Sequence, residues 1–330
     1  MSARLRALAA IAILAAAAPL GCGSEKPAPT QAPGPSEARW QDVLDTTPEL
    51  LVVVRAKATR EDRVYGPLLR RALDLVREQS RAVASTRAVD ALSAAEELVA
   101  GVRPETQDHP AEMVLVARGV PASVDPAKLT DDDGRPMWSP GPPGAVRELV
   151  FETDPHGRPV GASLFELPGR TWVIATGPAR RRAREAYAHP FGRPTLDLDP
   201  QALAIVRLDG PSLVQKVRAL QDLGTLAALG RHLRAVTLTL APGAERTLRA
   251  ALAYDDDESA AAASVTGGSV ISAMGRKESP LFKWLGTAEV EHTPRVVTVT
   301  AKLPGQLVEA LLHAGSAPLD LPPVPAPTAP

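Results

Sequence analysis

The side chains best equipped for chemistry are few: one cysteine, Cys22, and six histidines, His109, His156, His189, His232, His292 and His313, in 330 residues. No two histidines stand at ligand spacing on one expected element, so a zinc-type donor set is not expected. His156 sits in Asp154-Pro155-His156-Gly157, which has the chemistry of a β-turn. His313 falls near an expected helix C-terminus, where its charge suits the dipole. Asp131-Asp132-Asp133-Gly134 resembles part of a calcium loop, but positions one and twelve of that pattern fall on Leu129 and Pro140, so a solvated loop is expected. Gly267-Gly268-Ser269-Val270-Ile271 opens like a nucleophile elbow and ends in Ile, inside an Ala-rich stretch, and is read as a break between helical segments. His-Glu-x-x-His, Cys-x-x-Cys, Ser-x-x-Lys and a Gly-rich phosphate loop are all missing from the sequence. No catalytic residue, metal or cofactor is therefore expected.

The sharpest charge cluster is Arg180, Arg181, Arg182 and Arg184, at the start of an expected helix. One reading is contact with anionic lipid headgroups, each arginine contributing about 1 kcal/mol near such a surface. The other is a solvated helix face on which the arginines pair with Glu185. Asp255-Asp256-Asp257-Glu258 precedes the Ala-rich stretch and reads as an N-terminal cap with favourable dipole charge.

Arg4 and Arg6 precede an uncharged run from Ala7 to Leu20, the layout of a secretory signal. That run has about fourteen residues where a bilayer-spanning helix needs roughly twenty. It ends Pro19-Leu20-Gly21-Cys22-Gly23-Ser24 and then turns polar and Pro-rich. This resembles the lipobox of bacterial lipoproteins. The resemblance covers about four residues plus the signal, and differs in placing Pro19 and Leu20 where leucine and a small residue usually stand. It implies cleavage after Gly21 and acylation, palmitate-type chains included, at Cys22. A thiol nucleophile is then excluded, and the unpaired cysteine of an exported chain is accounted for. One acyl chain holds marginally, several hold permanently. Gly23 after the cysteine resembles cargo sorted to the outer membrane.

Hydrophobic residues make up 45% of the chain and aromatics only 3%, so the core must be built from Leu, Val and Ala. Formal net charge is −1, which leaves no basic field for nucleic acid. Residues 23–36, rich in Pro, form an expected tether spanning at most roughly 45 Å at full extension. The C-terminus from Pro318 is expected to be a disordered Pro-rich tail.

Strands are expected over Glu49–Ala56, Met113–Ala117, Leu149–Glu152, Ser163–Leu167, Thr171–Ala175, Ala202–Leu208, Ala235–Leu240, Thr247–Tyr254 and Val296–Ala301, each short, apolar or alternating and bounded by breakers. Pro168-Gly169-Arg170 should turn two of them antiparallel. Helices are expected from Pro67, with Leu69, Leu73 and Val76 on one stripe, continuing through Leu98 and Val99 to Gly101; over Ala179–Ala188; over Ser212–Leu233, with Leu213, Val217 and Leu220 inward; in the Ala-rich segment; and over Gln306–His313.

The order of elements recurs on either side of Pro190–Pro200. The expected architecture is α+β, with two tandem subdomains that could be repeats, each an antiparallel or mixed sheet with helices on one face. Expected bounds are 1–21 signal peptide, 22–41 lipidated cysteine and tether, 42–192 and 198–316 the subdomains, and 317–330 the tail. The functional expectation is an envelope lipoprotein bound to a membrane through acyl chains on Cys22, with a non-catalytic binding or scaffolding role toward an envelope protein. The alternatives are a periplasmic carrier of an apolar ligand or lipid, and a hydrolase without a familiar motif.

Overall fold

The structure, a computed structural model, describes residues 39–44, 48–63, 65–67, 69–70, 73, 86–103, 110–131, 133–153, 159–189, 198–209, 232–242, 247–276 and 284–304. Cys22, the signal and tether up to residue 38, the C-terminal tail and expected helix 306–313, His109, His156, His313, Val76, Leu213, Val217 and Leu220 lie outside the described residues.

Among the described residues, alternating and β-branched runs produce twelve strands: β1 (Leu50–Val54), β2 (Glu97–Arg103), β3 (Glu112–Arg118), β4 (Ser139–Pro140), β5 (Arg147–Thr153), β6 (Pro159–Leu167), β7 (Thr171–Thr176), β8 (Ala204–Asp209), β9 (Leu233–Leu240), β10 (Thr247–Tyr254), β11 (Glu289–Thr293) and β12 (Val296–Lys302). Helices among the described residues include α1 (Ala56–Glu61), α2 (Thr86–Ser93), α3 (Pro178–Ala188) and α4 (Asp257–Gly275). The strands form one antiparallel sheet in the order β11-β12-β10-β9-β8-β1-β2-β3-β7-β6-β5-β4. The α+β class and the antiparallel sheet are as expected. The two halves do not form separate sheets, because β1 and β8 pair along their whole length, Val52 opposite Val206.

Registers define two faces. One row runs Val290, Val299, Ala250, Leu238, Val206, Val52, Ala100, Leu115, Ile174, Leu164, Leu149, and is apolar from end to end. The row beside it, on the opposite face, runs Glu289, Thr300, Arg249, Thr239, Ile205, Val53, Val99, Val116, Val173, Phe165, Glu148. It is polar as far as Thr239 and apolar from Ile205 to Phe165, where α3 and residues 40–44 cover it in a shared core with Val53, Val99, Val116 and Val173, and it ends on Glu148. On the reverse face of the same strands, Ala91 of α2 joins Val120, Leu129, Met137 and Trp138 over Leu149, Leu164 and Trp172. Helical segments thus lie on both faces of the first half, where one face was expected, because its central strands are apolar on both sides and each side needs a cover.

Other expectations need correction. Leu98 and Val99 belong to β2 and not to a helix. Ala, Leu and Glu favour helices, and a strand buried on both faces loses the alternation that would reveal it. The pairing of β2 between β1 and β3 decides the matter. The preceding helix ends at Ser93, whose carbonyl and that of Ala94 accept from the Arg60 guanidinium. Leu233 opens β9. The expected break at Gly267–Ile271 is interior to α4, which runs unbroken. Strands β4 and β11 were not anticipated. Trp40, which falls within the expected tether, is buried. Of the expected stripe after Pro67, Leu69 is buried and Leu73 half-buried.

Candidate functional site

The densest polar assembly sits where α3 crosses the sheet. Gly177 precedes the helix at φ 57°, and Pro178 opens it, a ring whose fixed φ suits the first turn. At about 100° per residue, Ala179, Ala183 and Ala186 fall on one stripe, and all three are fully buried against the sheet. Small residues there bring the helix axis close to the strands, so that longer side chains must leave sideways. Arg180 and Arg184, one turn apart, leave on one flank, and Arg182 leaves on the other.

On the first flank the Arg184 guanidinium donates to both Glu148 oxygens, at 2.7 to 2.9 Å. Ser163 Oγ donates to Glu148 Oε1 at 2.6 Å and accepts from Arg180 Nε at 3.0 Å. Arg180 continues to Glu152 at 2.5 and 3.1 Å. These hydrogen bonds hold the Glu152 carboxyl below the ordinary carboxylate range, chiefly through Arg180. Those that Arg184 donates to Glu148 raise the arginine above the usual guanidinium value against the opposing effect of burial. Ser163 and Glu148 are both buried. With an arginine on one side and a carboxylate on the other, the serine relays charge-assisted hydrogen bonds; neither contact is an imidazole that could take its proton.

On the second flank Arg182 donates to Glu112 at 3.2 and 3.3 Å and, through Nε, to the Val43 carbonyl at 3.0 Å. Arg103 also approaches Glu112, at 3.5 Å. The shallow depression beside this pair is floored by Gly101 and Val114 and edged by Leu44 and Pro48. Its enclosed space is on the order of one water molecule. Tyr187 completes the helix face, edge-on to Phe165 with centroids 5.3 Å apart. Burial, and secondarily the charge of Asp42, pushes its phenol well above the usual value.

The structure therefore brings Arg180, Arg182 and Arg184 onto carboxylates of the sheet. Arg181 points away, its side chain 83% exposed and 3.7 Å from Glu185. Glu112, Glu148, Glu152 and Ser163 were not singled out from the sequence. Their signal was weak but present: a glutamate interrupting an otherwise apolar strand face demands a cation from elsewhere in the fold.

The remaining candidates do not converge. His189 and His292 are exposed. His232 stands 3.8 Å from Asp255, which also receives Arg234 at 3.0 Å. Asp256 caps α4, accepting from the Ser259 amide at 2.7 Å, and that bond is the leading reason its carboxyl lies below the usual range. Asp131 accepts from the amides of Asp133 and Arg135, closing the loop with its own side chain. Ser269 bonds back to the Val265 carbonyl within α4. Among the described residues no group of three His, Cys, Asp or Glu is placed to hold a metal, and no helix is long and apolar enough to cross a membrane.

No family model and no curated protein matches the chain. It is similar to the solved structure of crystal form I of TP0453, at 10% identity over 84% of this chain and 97% of that one, with a TM-score of 0.43.

Proposed function

We propose that this protein is a bacterial envelope lipoprotein, tethered through acyl chains on Cys22 and sorted to the outer membrane, whose folded part binds or scaffolds without catalysis. The observation that carries the reading is the only cysteine of the chain, placed where an uncharged apolar run gives way to a Pro-rich segment behind Arg4 and Arg6. The non-catalytic part is supported by the use of the charged groups at α3, which bind helix to sheet on both flanks. The test is acylation and partition. The native chain should incorporate labelled palmitate and sediment with membranes, whereas Cys22→Ala should do neither. Unchanged, detergent-dependent membrane association of Cys22→Ala would overturn the proposal. Recovery of the native chain in the inner membrane would overturn its location alone.

We further propose that the two halves, 42–192 and 198–316, descend from a duplication. Support comes from strand order: β1-β2-β3-β7-β6 outward from the centre on one side and β8-β9-β10-β12-β11 on the other. The antiparallel β1–β8 pair, with Val52 opposite Val206, lies at the centre, as a two-fold relation between halves requires. Residues 39–192 and 198–330 expressed as separate chains are expected to assemble through these strands, and failure of either to bind the other would count against equivalent halves.

A further inference from the structure

Residues Arg39–Leu44 lie between the proposed tether and β1, and they are built into the core. Trp40, Asp42, Val43 and Leu44 are all buried. The segment makes one 3-10 turn, Asp42 and Val43 donating to the carbonyls of Arg39 and Trp40 at 3.1 and 3.2 Å, with Arg39 3.5 Å from Asp42. Two different elements grip it. From α3, Arg182 Nε donates to the Val43 carbonyl while the same guanidinium pairs with Glu112 on β3. From β2, Gly101 leaves a notch that Leu44 fills so closely that a Cβ at Gly101 would stand 2.6 Å from Leu44 Cδ2.

We propose that Arg39–Leu44 is a latch: docked, it packs the start of the folded body against α3 and β2 and shields the Arg39–Trp40 peptide bond; undocked, it exposes that bond to an endoprotease that cuts after arginine, and hydrolysis there, with water adding across the bond, frees the body from the tether. Membrane release rests on the lipoprotein reading, whereas protection of the bond does not. The sequence makes the device easy to read. Between Cys22 and Trp40 the basic residues are Lys26, followed by Pro27, and Arg39. Trypsin does not cut before proline, so Arg39–Trp40 is the first trypsin site of the mature chain.

The experiment is limited trypsinolysis of the full chain in membranes, read by peptide mass and, separately, by the protein found in the supernatant. The native chain is expected to resist at Arg39–Trp40. Arg182→Gln, which removes the grip of α3, and Gly101→Ala, which fills the notch without touching α3, should each speed that cut about tenfold or more, as local opening becomes more frequent. Arg180→Gln, which loosens the other flank of the same helix, should not. Rapid cutting at Arg39 in the native chain, with the body left intact, would overturn the latch whatever the variants do. Equal acceleration by all three variants, or by none, would also overturn it. A cut that occurs as proposed but leaves all protein soluble from the start would sink the lipoprotein reading and leave the latch standing.

Discussion

Ser163 donates its hydroxyl proton to Glu148 Oε1 across 2.6 Å, from a side chain with no solvent exposure, directly beneath α3. The carboxylate it supports is also held at both oxygens by Arg184. Removing one partner strands the other in a place where water cannot replace it. Arg184→Leu is expected to destabilise the fold by about 2 to 3 kcal/mol, less than the 3 to 5 of a fully enclosed pair because the arginine is 40% exposed and screened. Combining it with Glu148→Leu should return part of that loss. A double-mutant cycle in urea giving additive effects would show that the two residues do not act as a pair.

Glu152 should make part of the stability depend on acid. Its folded value is depressed, mainly by the Arg180 hydrogen bond, so its contribution is complete above the ordinary carboxylate range near 4.3 and disappears as pH falls through and below it. Glu152→Gln is expected to lower stability at pH 7, where the contribution is present, to change little in acid, where it has already gone, and so to flatten the stability profile between about pH 5 and 3. A parallel downward shift at every pH would contradict this.

The Tyr187 hydroxyl is buried and has no hydrogen-bond partner among the described residues. Tyr187→Phe should therefore be neutral or stabilising by up to about 1 kcal/mol, since it removes a desolvated donor without opening a cavity. The sign with pH is also fixed. A phenol raised in the folded state favours folding below its unfolded value near 10 and weakens it as pH climbs further. The Phe variant should lose part of that alkaline sensitivity, read as the change in melting temperature between pH 8 and 11.

Gly177 and Gly169 both hold positive φ, at 57° and 72°, but differ in surroundings. A Cβ at Gly169 would meet nothing within 4 Å, whereas at Gly177 it would lie 2.6 Å from the Ala111 carbonyl oxygen. Gly169→Ala should cost about 1 kcal/mol, from backbone conformation alone. Gly177→Ala should cost clearly more, because a backbone carbonyl at the entry to β3 cannot yield as a side chain would. Equal melting temperatures would refute the contact.

Asp256→Ala should lower the melting temperature and raise hydrogen exchange in the first turn of α4, where the Ser259 amide loses its acceptor. Exchange unchanged at Ser259 would mean that the cap is not formed in solution.

Local pattern determined the strands whose two faces differ or whose apolar run is short and bounded, such as Leu50–Val54 and Thr171–Thr176, and it determined the cap at Asp256. It also determined that Arg180, Arg182 and Arg184 would share a helix with a stripe of alanines. These follow from spacing along the chain, which a sequence states outright. The same spacing misread Glu97–Arg103, because a strand enclosed on both faces carries no alternation, and Ala and Leu then speak for a helix. Strand order, the joining of the halves through Val52 and Val206, and the choice of Glu148, Glu152 and Glu112 as partners are relations between residues up to some 150 positions apart. Only the folded chain decided them, because a charge leaving the flank of α3 takes whichever carboxylate the sheet register sets beneath it.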